Sequence, residues 1–307
     1  MDATTTPPPP ATPPNNPPAA TNNSKTASVW ATPAILLLVG LMIVAGWWAP
    51  PAASYILIVL LMLAVMLVLG LAITKRAFGV LINERNVMSL SRFQMALWTI
   101  IILAAYFSFA CVRIHAWKTG AFNNHQVITQ PLDPKAPLPD GALVIIDPLN
   151  IRMDWHLWAL LGISTTSLIG TPLILSTKKD DKPDPSAARK AAPLTGEKPE
   201  EIENNKQGVL YANATIGDAR MTDMFQGDEL INTAQIDLAK VQMFYFTIIA
   251  ALCFFVLVLQ QLVKADTDLS ALPVLSDGLI AVLGISHAGY LTSKTVTHTN
   301  TTQGVSP

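Results

Sequence analysis

The chain has 307 residues, of which 51% are hydrophobic and only 13% charged, and its mean hydropathy is +0.40. That apolar content exceeds what the core of a soluble domain requires and points to a membrane as solvent. Twenty basic against 21 acidic residues leave a net charge of -1, which excludes recognition of nucleic acid through bulk electrostatics.

Residues 1–29 are rich in Pro, Thr, Ala and Asn and hold almost nothing apolar, so they are expected to form a disordered tail with polyproline II character. Only Lys25 precedes the first apolar run, after a long polar lead, a pattern unlike a secretory signal. Two apolar runs follow, 30–48 and 55–74, separated by Pro50 and Pro51, and predict a tight transmembrane hairpin over 30–74. Further spans are expected at 93–112, 155–175 and 241–263. A sixth, shorter one covers 278–293 and is introduced by the helix-starting pair Ser276 and Asp277. The fold class is therefore an all-α polytopic membrane protein with about six transmembrane helices.

Internal similarity organises the last four of these. Residues 90–101, Leu-Ser-Arg-Phe-Gln-Met-Ala-Leu-Trp-Thr-Ile-Ile, share six identities with 238–249, Leu-Ala-Lys-Val-Gln-Met-Phe-Tyr-Phe-Thr-Ile-Ile. Leu-Gly-Ile-Ser then recurs at 161–164 and 283–286, after the acidic helix starts Asp154 and Asp277. An N-terminal hairpin is thus followed by two parallel repeats of a helical hairpin, repeat A at 90–179 and repeat B at 238–294. A pseudo-two-fold axis along the membrane normal is expected to relate them. Repeat A carries a long outer loop, 113–154. Between the repeats, 180–237 is expected to be a linker: flexible and charged at first, then bearing a short amphipathic helix near 219–225 that Gly227 terminates. Residues 295–307 form a polar C-terminal tail.

Fifteen of the twenty Lys and Arg residues fall on one side of this topology. Both termini are accordingly expected in the cytoplasm, with the protein integral to a plasma membrane of the bacterial inner-membrane type. Arg92 and Lys240 sit at the basic lip, where long basic side chains snorkel to headgroups. Gln94 and Gln242 lie just inside at equal depth and are suited to bonding across helices, or to facing a pore. Gly162, Thr166 and Gly170 in repeat A, and Gly284 and Ala288 in repeat B, place small residues four apart, a spacing that permits close helix approach. Pro172 is expected to kink or end the fourth span. His287, about 10 Å inside the membrane from Lys294 at the helical rise, is the one ionisable side chain deep in a span. Its expected role is an interhelical contact, with a proton relay as the alternative.

No catalytic constellation, metal-ligand spacing or cofactor motif appears, and no cofactor is expected. The expected partners are the lipid bilayer and a protein partner or a homo-oligomer. The expected function is a non-catalytic anchor or scaffold of a membrane complex. The alternative is a channel or transporter built on the duplicated hairpin.

Overall fold

The computed structural model describes residues 29–118, 148–264 and 269–299. The proline-rich tail, most of the outer loop of repeat A and most of the C-terminal tail lie outside them. The described residues are helical, with five helices long and apolar enough to cross a membrane: α1 (Ala31–Trp48), α2 (Pro51–Thr74), α3 (Leu90–Lys118), α4 (Trp155–Thr177) and α7 (Leu238–Val263). Two short helices, α5 (Ala187–Thr195) and α6 (Pro199–Asn205), lie between α4 and α7. The sixth long helix, α8 (Asp277–Thr295), has 19 residues but is more polar than the other five. The chain is a membrane-embedded α-helical protein.

Local chemistry accounts for the helix limits. Pro51 occupies the first turn of α2, where its missing N–H costs nothing. The Asp154, Asp237 and Ser276 side chains accept backbone N–H groups at the starts of α4, α7 and α8. Pro172 does not end α4, which continues to Thr177. On α1 and α2 large apolar side chains such as Leu36 (67% exposed) and Ile73 (75%) face outward, as lipid-facing positions do.

The four repeat helices form a ring in which α3 packs on α4 and α7, and α8 packs on α4 and α7. The α1–α2 hairpin packs against α3, and α2 also touches α7. This ring corrects the expected two-fold relation. A two-fold axis along the bundle would put the equivalent helices α3 and α7 on one diagonal and α4 and α8 on the other. Here the equivalent helices are neighbours, which is the order that sideways displacement of one hairpin past the other produces. At the ends of α4 and α8 opposite the cap, Arg152 bridges Ala271 in parallel fashion, with Arg152 N–H donating to Ser270 O at 2.7 Å.

The segment between the repeats is a folded cap rather than a flexible linker. Ala187, Ala188, Ala191 and Ala192 of α5 bury against Ile202 of α6 and Leu230. The expected amphipathic helix at 219–225 is a 3-10 turn, Met221–Phe225, whose Met224 joins Met243, Tyr290 and Leu90 in an apolar seam between cap and membrane helices. Gly208 (φ +61°) lets the cap meet the end of α4, because a Cβ there would lie 2.3 Å from the Lys178 carbonyl oxygen.

Candidate functional site

The cap is held by a buried ionic cluster at the basic end of the bundle. Asp228 Oδ1 pairs with Arg85 Nη2 at 2.6 Å, while Oδ2 pairs with Lys240 Nζ at 3.1 Å and with Lys294 Nζ. Next to it, Glu229 Oε1 accepts from Lys178 Nζ at 2.7 Å, and Glu229 Oε2 accepts the backbone N–H groups of His298 and Thr299. Side-chain exposure is at most 5% for all four cations and 2% for Glu229, so water does little of the compensating. Four cations face two carboxylates. Carbonyl oxygens take further donors, Tyr211 and Asp228 accepting from Arg85 Nη1, Gln226 from Lys240 and Val296 from Lys178, while Arg85 Nε is buried with no hydrogen-bond partner among the described residues.

Three of the long helices, α4, α7 and α8, supply a cation from a terminus. Lys178 caps the C-terminal end of α4 and Lys294 lies in the last turn of α8, where a cation complements the helix dipole. These two lysines bind consecutive acids of the cap, Lys178 binding Glu229 and Lys294 binding Asp228. Lys240 stands in the first turn of α7 and Arg85 precedes α3. Lys240 is therefore no headgroup anchor: it is 4% exposed, inside protein. Arg92, its counterpart in repeat A, donates to the Ile82 carbonyl at 2.7 Å.

Burial alone would raise the Asp228 carboxyl, but Lys240, Lys294 and Arg85 overcome it and hold the group well below the usual carboxylate range. An acid depressed on folding contributes stability that is full above its unfolded value, about 4, and is lost as pH falls through the folded value. Protection of the cap against protease is thus expected to stay level from pH 8 to pH 5 and to fail only below about pH 4. A midpoint near neutrality would contradict this assignment.

The side chains singled out in the sequence part company. Gln94 is fully buried and donates to Thr247 Oγ1 at 2.7 Å across α3 and α7, whereas Gln242 is exposed on the far side of α7. Sideways stacking explains the difference, since the face that repeat A turns toward B is turned outward in B itself. His287 is buried on α8, with Nδ1 at 2.6 Å from Ser167 Oγ of α4. Gly284 meets Ile163, but Gly162, Thr166 and Ala288 are exposed, and the Thr166 hydroxyl bonds to its own helix at Gly162 O. Of the small-residue rows only Gly170, beside Leu291, and Gly284, beside Ile163, lie at the α4–α8 contact. Ser167 and Thr171 face His287 and Tyr290 there. We expect Gln94→Leu to cost about 1 kcal/mol in unfolding measurements in dilute detergent, and Gln242→Leu to leave that stability within about 0.5 kcal/mol.

A file of polar groups runs inward from the cluster along α4 and α8. Lys294 lies over the Tyr290 ring (4.6 Å), the Tyr290 hydroxyl meets Thr171 and Ser91, and Ser167 with His287 follows one turn further. Leu157, Leu160, Ile280 and Leu283 then fill the bundle with apolar side chains. Beyond them, at the opposite end, His156 is held between Asp154 and Asp277. Among the described residues no group of three or more His, Cys, Asp and Glu side chains could hold a metal ion.

The ionic cluster escaped sequence reasoning, although one signal was present. The pair Asp228-Glu229 sits between helices that end or begin with a cation, Lys178 after α4 and Lys240 in the first turn of α7. Comparison with protein-family models, with curated proteins and with solved structures finds no match to this chain.

Proposed function

We propose that this protein is a non-catalytic membrane anchor that presents a rigid cap at the cytoplasmic face of a bacterial inner membrane. In this reading all six long helices span and both termini are cytoplasmic, because the cations gather at the capped end. The observation that carries it is the pairing of Asp228 and Glu229 with cations from α4, α7, α8 and the segment before α3. Such a clamp fixes the extramembrane layer to the bundle and gives a partner a surface of constant shape. A transport reading draws on the polar file toward His287. The apolar layer of Leu157, Leu160, Ile280 and Leu283 closes that file halfway and weighs toward the anchor.

Affinity isolation from native membranes tests the proposal. The anchor reading expects a stoichiometric partner that is lost when the cap is released by replacing Asp228. Recovery of the chain with no other protein, together with ion or solute flux in proteoliposomes, would overturn it.

A further inference from the structure

The outward face of α7 carries one unpaired polar residue, Gln242, at the end of an otherwise mostly apolar stripe. Four positions seven residues apart, Gln242, Ile249, Val256 and Val263, alternate with Leu238, Tyr245, Leu252 and Leu259, so that the spacing runs 4, 3, 4, 3 along the whole helix. None of the eight is a buried residue of the helix, and the apolar exposures range from 48% at Val256 to 75% at Leu238, with Leu259 half-buried. The phenylalanines of α7 stand off this stripe, Phe254 being fully buried. Three of the four positions in one row are β-branched and three of the four in the other are leucine, an arrangement that favours two parallel strands, and a single polar residue in such a seam sets register and number.

We propose that α7 is the contact helix of a parallel homodimer, with Gln242 facing its counterpart from a second copy across a two-fold axis along the membrane normal. Two copies inserted in the same direction can meet only in parallel across such an axis. The chain already uses this chemistry once. At the matching place in repeat A, Gln94 ties α3 to its parallel neighbour α7, whereas the Gln242 amide has no hydrogen-bond partner among the described residues. At the lip of the bundle, two residues past Lys240, the Gln242 amide is placed to find its missing donor and acceptor in a second copy. The proposal does not depend on the anchor reading.

The test is disulfide cross-linking of the full chain, purified and reconstituted in phosphatidylcholine–phosphatidylglycerol vesicles at low protein density. Exposed Cys253, which lies beside the stripe, is first replaced in the background variant Cys253→Ser. Ile249→Cys, Leu252→Cys and Val256→Cys should then give covalent dimers. Leu257→Cys, off the stripe on α7, and Ile285→Cys, 72% exposed on neighbouring α8, should stay at background. Adding Gln242→Leu should lower the dimer yield about fivefold. Uniform yields at all five positions, no dimer at the stripe positions, or a yield indifferent to Gln242→Leu would each overturn the proposal. None of these outcomes bears on whether the cap recruits a partner.

Discussion

Asp228→Asn will destabilise the protein by about 3–5 kcal/mol, the largest single effect we expect outside the apolar core. The substitution keeps the shape and an acceptor oxygen but removes the charge that Arg85, Lys240 and Lys294 share. A buried lysine can relieve such a loss by giving up its proton, whereas the Arg85 guanidinium stays charged and must draw in water or leave. The loss should be read as a drop in unfolding temperature in detergent, accompanied by new protease cleavage within 180–237. Glu200→Gln, on the exposed face of α6, serves as control and should stay within about 0.5 kcal/mol. A cost below about 1 kcal/mol for Asp228→Asn would mean that water already compensates the three cations.

Lys178→Met should be nearly as damaging, for the opposite reason. It leaves Glu229, 2% exposed, as a buried carboxylate held only by the N–H groups of His298 and Thr299. The expected cost is again about 3–5 kcal/mol. Adding Glu229→Gln removes the orphan charge while keeping an acceptor for both N–H groups, so the double variant should regain at least half of the loss. A double-mutant cycle in thermal unfolding measures this coupling directly. Strict additivity of the two single costs would show that the pair is not a unit.

The membrane helices were legible because crossing hydrocarbon imposes long apolar runs, and five of them lie where hydropathy puts them. The similar stretches at 90–101 and 238–249 predict matching helices, but sequence identity says nothing of how two such helices are placed relative to one another. Gln94 and Gln242 hold matching places in the two similar stretches, each followed by Met, yet one is buried and the other exposed. Lys240 and Lys294 were legible as basic-end residues. Their burial was not, because it depends on a cap whose 178–206 segment has the charge and proline content of a linker. Alanines build that cap's core, and alanine is a weak signal of burial. Asn213 opens an Asn-Ala-Thr triplet of the glycosylation type, yet its side chain is buried and its amide donates to the Asn86 carbonyl.

The chain order of the cluster has a consequence for biogenesis. Arg85 and Lys178 leave the ribosome before either acid, Asp228 and Glu229 come next, and Lys240 and Lys294 follow. Glu229 can therefore engage Lys178 while repeat B is still being made, whereas Asp228 receives its last cation only when α8 has been inserted. Closure of the cap thus reports completion of the bundle. A nascent chain stalled before α8 would display an acid with an empty place beside it, a feature that quality-control proteases could read as unfinished work.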